Sequence, residues 1–323
     1  VTEGVIAPQS ATLTYKDEIL LNIYFQLNGL EADLSDLGLM TYTADGNTVL
    51  DTIPGATIVD GKYMVTTKPI AAKNLGDTVY FRVYAKLADG TVVYSKLLSY
   101  SPKTYAMNIL NKSEDVAMKA LVVAMLNYGA AAQVHFNHNT DKLMNADLTP
   151  EQKALVVPYS DSMISSLVAV DKTKTTNFVY NKGFSDGYPS VSFEGALAIN
   201  YYLIPKYEVT GDFTLYCWDL ATYNSVSVLT EDNATATATM SQASSSYVGA
   251  FAGLAAKQID ETVFAVAVYE SNGTRYVSPV FAYSIGAYCK DRIANGGDTM
   301  KAFAKEIAVY GYYAENYFAN LNG

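Results

Sequence analysis

The chain repeats itself, and self-similarity over most of a sequence restricts it to two like modules built around separate cores. AAKNLGDTV at 71–79 returns as AAKQIDETV at 255–263. LADGTVVYSKLLSYSPKTYAMNIL at 87–110 returns as ESNGTRYVSPVFAYSIGAYCKDRI at 270–293. MKALVVAMLNYGAAAQVHF at 118–136 returns as MKAFAKEIAVYGYYAENYF at 300–318. The openings match too, ATLTYKDEILLNIYF at 11–25 against PSVSFEGALAINYYL at 189–203. The offset drifts from 178 to 184 and returns to 182, as loop insertions produce. The reading is a first module over 1–137, a linker over 138–187 and a second module over 188–323. The linker carries one short helix signal, with Thr149 as N-cap, Pro150 at N1 and Glu151 after it.

Each module reads as strands first and helices last. Residues 11–27 alternate around a Lys16-Asp17 turn, matched by Glu194-Gly195, which predicts a hairpin. Val79, Phe81, Val83 and Ala85 alternate with Tyr80, Arg82, Tyr84 and Lys86, which predicts a half-buried strand. Asp89-Gly90, matched by Asn272-Gly273, turns the chain into a strand over 91–100. Short strands separated by turn residues suggest an Ig-like antiparallel β-sandwich. From Met118 the apolar period changes to 3 and 4, predicting a helix of about 20 residues capped near Ser113. A shorter helix over Pro102 to Leu110 precedes it. The expected class is α+β, mainly β, each sandwich followed by a helix pair packed on one of its sheets.

A glycine sits inside each long helix, at Tyr128-Gly129 and Tyr310-Gly311. A helical Gly costs ~1 kcal/mol relative to Ala, so its presence in both copies predicts a close contact there. The expected partner is a sheet. Tyr80, Arg82 and Tyr84 correspond to Phe264, Val266 and Val268, and a strand apolar on both faces is covered on both faces. Burial under the long helix is therefore the reading for Tyr80, Tyr84 and Tyr94.

Composition narrows the function classes. Half of the 323 residues are apolar and 17% are charged, so the chain has cores to bury and is not a disordered one. Its 22 basic residues against 32 acidic ones give a net charge of −10, which argues against nucleic acid as a partner. No run reaches the ~18 consecutive apolar residues of a membrane span, and no insertion is expected. Two Cys and two His leave little room for thiol, zinc or imidazole chemistry.

The segments SYSPKTYAMNIL, MKALVVAMLNYGAAAQVHFN and NTDKLMNADLT resemble a recurrent module of large secreted proteins from gut Clostridia, relatives of Ruminococcus among them. The turn DGTVVYS at 89–95, SYS at 99–101 and LNYGAAAQ at 126–133 carry the resemblance. It covers most of 70–150, and AVYGYYAEN at 308–316 follows it more loosely. The resemblance implies an extracellular, non-catalytic module of a Gram-positive surface or secreted protein. It brings no catalytic or ligand-binding residue with it.

Candidate chemistry is sparse. GFSDG at 183–187 matches the G-x-S-x-G elbow, which needs a strand before Ser185 and a helix after it. Here Gly187, Tyr188 and Pro189 follow, both histidines precede it, and the motif reads as a loop. His135, His138 and Asp141 are spaced for a metal, but their counterparts include Tyr317 and Asn320, so they read as surface residues at a helix end. No metal or cofactor is expected. Cys217 and Cys289 align with Thr41 and Ala106, so the first module lacks both. A disulfide lost as a pair gives that pattern, and so do two separate buried thiols.

The 27 tyrosines are the remaining candidates. Tyr24/Tyr202, Tyr63/Tyr247, Tyr100/Tyr283, Tyr105/Tyr288 and Tyr128/Tyr310 recur as pairs and read as scaffold. Tyr216, Trp218 and Tyr223 form the densest aromatic group, read either as a sugar-contacting surface or as the buried core of a sandwich. Tyr312, Tyr313 and Tyr317 project from the second long helix where the first module has Ala130, Ala131 and His135. An exposed aromatic group in one copy predicts contact with a polysaccharide, a neighbouring module or another subunit. The expectation is a non-catalytic extracellular binding or adhesion module for carbohydrate. The alternative is a structural spacer or a self-assembling surface subunit.

Overall fold

The computed structural model describes residues 5–14, 18–193 and 195–321. The architecture is α+β and mainly β, with four antiparallel sheets and six helices among the described residues. The chain divides into two compact units, Val1–Val157 and Pro158–Gly323.

The first unit opens with β1 (Ile6–Thr14), β2 (Leu20–Leu27), β3 (Leu37–Tyr42) and β4 (Val49–Pro54). It continues through β5 (Thr57–Val59), β6 (Lys62–Thr66), β7 (Val79–Lys86), β8 (Val92–Tyr94) and β9 (Leu98–Tyr100). Helices α1 (Pro102–Lys112), α2 (Val116–His135) and α3 (Pro150–Lys153) close it. One sheet has the order β1-β2-β6-β5, the other β4-β3-β7-β8, with β9 also pairing β7. Leu21, Ile23 and Phe25 of one sheet and Leu39, Phe81 and Val83 of the other are all buried, as the period of two requires. The predicted turn at Lys16-Asp17, and Glu194 of its counterpart, lie outside the described residues.

The second unit runs β10 (Phe184–Ser192), β11 (Leu197–Pro205), β12 (Phe213–Trp218), α4 (Leu220–Ser225), β13 (Ala236–Thr239) and β14 (Ser241–Ala243). Then come β15 (Ser246–Leu254), β16 (Val263–Ser271), β17 (Thr274–Val277), β18 (Phe281–Tyr283), α5 (Ile285–Asn295) and α6 (Asp298–Leu321). Its sheets have the orders β10-β11-β15-β14 and β13-β12-β16-β17, with β18 also pairing β16. Strand for strand this is the connection pattern of the first unit.

The strand expected over 91–100 is broken into β8 and β9. Ser95 is buried at the break, where its Oγ accepts from the Val83 amide at 3.0 Å and donates to the Lys96 carbonyl at 2.9 Å. Ser278 does the same for Ala267 and Pro279. A side-chain hydroxyl thus replaces a ladder bond and lets the strand shift course without orphaning a buried amide.

Helix starts follow their caps. Ser101 caps α1 by accepting from the Thr104 amide at 3.0 Å, and Asp115 caps α2 by accepting from Met118 at 2.9 Å. Ser113, expected to cap the long helix, instead ends α1. Thr149 and Gln152 form a reciprocal capping box at α3. Among the described residues α2 is the one helix with the length and apolar composition of a membrane span, and 67% of that stretch is buried inside the protein.

The close contact predicted at each helical glycine is present, but its partner is not a sheet. A Cβ on Gly129 would lie 2.4 Å from Met144 Sδ and 3.4 Å from the carbonyl of Ala72, in the 3-10 turn Ala72–Asn74. A Cβ on Gly311 would lie 2.9 Å from Cβ of Ile259, which caps the 3-10 turn Ala256–Gln258. Each long helix therefore seats on the turn leading into β7 or β16. Leucine at position 311 is expected to cost about 2–3 kcal/mol by overpacking a buried Ile, read as a lower urea midpoint. Gly129→Ala is expected to cost less, because the atom met first is the movable end of Met144.

The outward face of β16 corrects a second expectation. Phe264, Val266 and Val268 pack with Trp218, Tyr223, Leu229 and Phe178 in one buried cluster. Their cover is α4 and the chain before β10, not α6. Residues 138–187, read as a linker, divide between the units. The part from Pro158 on is stitched to the second by polar bonds that its Thr-, Lys- and Asn-rich composition supplies. Lys174 Nζ donates to the carbonyls of Tyr223 and Val226, both at 2.7 Å, and Asn177 donates to Leu229 at 3.1 Å. Asn181 donates to Arg275 O at 2.8 Å and accepts from Val277 N at 2.9 Å.

Candidate functional site

Three of the predicted aromatic residues belong to that covered cluster. Trp218 and Tyr223 are buried, and Tyr216 is half-buried against Phe178 at 6.0 Å between ring centroids. Trp218 Nε1 donates to Asn233 Oδ1 at 2.8 Å, and the Tyr223 ring stacks on Phe264 at 3.5 Å. Trp218 and Tyr223 are thus core residues, and the reading of them as a ligand surface is corrected. On α6, Tyr312 is 37% exposed and meets Tyr313 edge-on at 5.5 Å. Tyr317 is half-buried and pairs with Phe318, beneath which Lys257 supplies a cation 5.8 Å from the ring centre.

Cys217 on β12 and Cys289 on α5 are free, buried thiols, so of the two readings the possible disulfide is overturned. Burial pushes the Cys217 thiol up to about 12 and raises Cys289 as well. Both are thus expected to be silent to a thiol reagent in the native protein and to react only on unfolding. A thiol held protonated by the fold favours folding fully below its unfolded pKa, ~8.5–9. That contribution fades as pH rises toward 12, so alkaline unfolding should expose both thiols together.

The remaining motifs are structural. GFSDG enters strand β10 rather than a loop, and Ser185 Oγ donates to the Ile204 carbonyl at 3.1 Å. His138 meets Asp77 at 2.8 Å, and Asn74 and Asn139 donate to the same carboxylate. His135 sits against Phe136 at 4.8 Å. Among the described residues no three His, Cys, Asp or Glu are grouped to hold a metal.

Tyr80, Tyr84 and Tyr94, read from the sequence as buried under the long helix, instead share with Tyr42 the outward face of β3, β7 and β8. Cross-strand pairing sets Tyr42 beside Tyr80, Met40 beside Arg82, Gly38 beside Tyr84, and Tyr84 beside Tyr94. The like-ordered sheet of the second unit pairs Trp218 with Phe264, Tyr216 with Val266, Thr214 with Val268, and Val268 with Val277. Where the face is covered it is apolar; where no helix covers it, it carries tyrosines and an arginine. Tyr42, Tyr80, Arg82 and Tyr94 are half-buried, and Tyr84 lies lowest, its ring across Gly38 where a Cβ would sit 2.5 Å away.

The chemistry of this face is that of a polar aromatic surface. The Arg82 guanidinium lies 5.7 Å from the Tyr42 ring centre and spends one N–H on the Ser95 carbonyl at 2.9 Å. The hydroxyls of Tyr80, Tyr84 and Tyr94 have no hydrogen-bond partner among the described residues. Burial raises the Tyr42 phenol despite the opposing pull of Arg82, and burial with Asp36 and Tyr94 raises Tyr84. These phenols are neutral donors and acceptors at physiological pH.

A separate cleft of about 200 Å³ opens between β1 and β9, floored by Ile23, Phe81 and Leu98. The second unit has Tyr201 and Phe281 at the matching positions, with rings 5.8 Å apart. The cleft is smaller than the ~300–1,000 Å³ of ordinary ligand pockets.

No protein-family model matches this chain, and no curated protein matches it. The solved structure described as "Crystal structure of Br derivative BhCBM56" is similar to 31% of this chain over 91% of its own length, at 14% identity and a TM-score of 0.22. At that TM-score the likeness carries no inference about fold or ligand.

Proposed function

We propose that this chain is a non-catalytic, extracellular binding module that recognises carbohydrate through the tyrosine face of its first unit. The observation that carries the reading is the contrast at matched positions, Tyr80, Arg82 and Tyr84 on the open face against Phe264, Val266 and Val268 under cover. Aromatic faces are electron-rich and pack against the weakly positive C–H patches of a sugar ring, while phenol and guanidinium groups reach its hydroxyls. Tyrosine offers this area at small conformational cost. The matching strand orders of the two units support reading them as two copies of one Ig-like module, in a surface or secreted protein of the Clostridial kind that the sequence resembles. Affinity electrophoresis through gels containing plant and host polysaccharides tests the reading. Retardation by at least one glycan is expected, and unretarded migration in all of them overturns it.

A second reading, self-assembly at a cell surface, is favoured by one specific observation. The edge strands β4 and β5 expose Leu50 at 61% and Ile58 at 58%, and apolar sheet edges invite pairing between chains. Strictly monomeric light scattering across concentration would remove it.

A further inference from the structure

We infer that Arg82 makes the tyrosine face selective for glycans that carry carboxylates, uronic acid residues above all, over neutral glycans. The inference rests on the glycan reading of this face. Arg82 is a cation set among tyrosines in a chain of net charge −10, and among the described residues no carboxylate pairs with it. The nearby acids are otherwise placed: Asp51 is held by Lys68, and Asp36 acts on Tyr84 at the Gly38 end of the face. Its influence on Tyr42 places the positive field at the Tyr42 end. The one bond to Ser95 fixes the guanidinium plane and leaves other N–H donors of the fork for a planar, bidentate acceptor. A carboxylate on a sugar ring is such an acceptor, and the Tyr42 ring beside it offers the apolar face that the same sugar needs. A lysine is a point charge on a flexible stem and reproduces the attraction without the fork.

The test compares one polymer in two charge states, polygalacturonate and its fully methyl-esterified form, with neutral polysaccharides alongside. The intact protein is expected to bind the free acid about tenfold more tightly or better, the scale of one charge-assisted contact. The preference should collapse in about 1 M salt, where screening acts over ~3 Å. Arg82→Gln should bring binding of the free acid down to that of the ester in the same variant, while Arg82→Lys keeps part of the preference. Equal binding of acid and ester by the unaltered protein overturns the inference and leaves the glycan reading standing. So does a preference that survives Arg82→Gln in a variant with native circular dichroism. No retention by any polymer, charged or neutral, overturns both.

Discussion

Replacing both Tyr42 and Tyr94 with alanine is expected to weaken glycan binding by roughly two orders of magnitude while the protein stays folded. Buried aromatic anchors at binding surfaces commonly account for 1–2 kcal/mol or more each, and every 1.4 kcal/mol is tenfold. The two residues stand on separate strands, β3 and β8, with the outward residues of β7 between them. Both are half-buried, and the inward side of the same sheet is packed by Leu39, Phe81 and Val83, so the fold does not depend on their rings. Tyr312→Ala serves as the control. Its ring belongs to α6 of the other unit, and binding should be unchanged. Binding that survives loss of both tyrosines but falls with Tyr312 would move the site to the helix. Because the Tyr42 and Tyr84 phenols are shifted upward, binding of a neutral glycan should be flat between about pH 5 and 9.

Trp218→Ala is expected to have the largest effect on stability, about 3–5 kcal/mol, the cost of emptying a large buried aromatic site. Trp218 meets Phe178 edge-on at 5.5 Å, so its loss also loosens the segment that covers β16. The substitution also removes one of the two donors to Asn233 Oδ1, which keeps only the Thr230 amide at 3.0 Å. Thermal unfolding followed by circular dichroism reads the loss, and glycan binding below the new transition should match that of the unaltered chain. An unchanged transition would mean that Trp218 is not a core residue. Lost binding in a still-folded variant would return it to the ligand surface.

Much of the architecture was readable because it rests on local rules. The turns at Asp89-Gly90 and Asn272-Gly273, the switch of period at Met118 and the helix starting at Pro102 are set by neighbours in sequence. The glycines announced close packing for the same reason, a helical residue kept at a cost. What they touch was not readable, because Gly129 and Gly311 meet a 3-10 turn whose approach is fixed by tertiary packing. The break between β8 and β9 was hidden because Ser95 looks like any polar residue of a strand, and its role depends on an amide on β7.

The site was misread through the repeat itself. Since Phe264, Val266 and Val268 are apolar, their partners Tyr80, Arg82 and Tyr84 were assigned the same cover. The cover is α4 with residues around Val170 and Phe178, the latter from the stretch whose polar composition looks like a linker. Strands β7 and β16 hold the same place in like-ordered sheets yet face different surroundings, and the difference in side chains records it. Cys217 and Cys289 allowed two readings in the sequence. Their joint absence from the first unit reflects two separate buried positions rather than one bond.

Glycan binding at the tyrosine face is tested most directly by an NMR titration of the intact protein with its tyrosine rings isotopically labelled, using oligogalacturonate as the probe. The Tyr42, Tyr80 and Tyr94 signals, assigned by single substitutions, are expected to shift in saturable fashion. Tyr223 and Tyr312 should stay in place. Saturable shifts confined to α6, or binding with no change at Tyr42, Tyr80 and Tyr94, would contradict a site on that face.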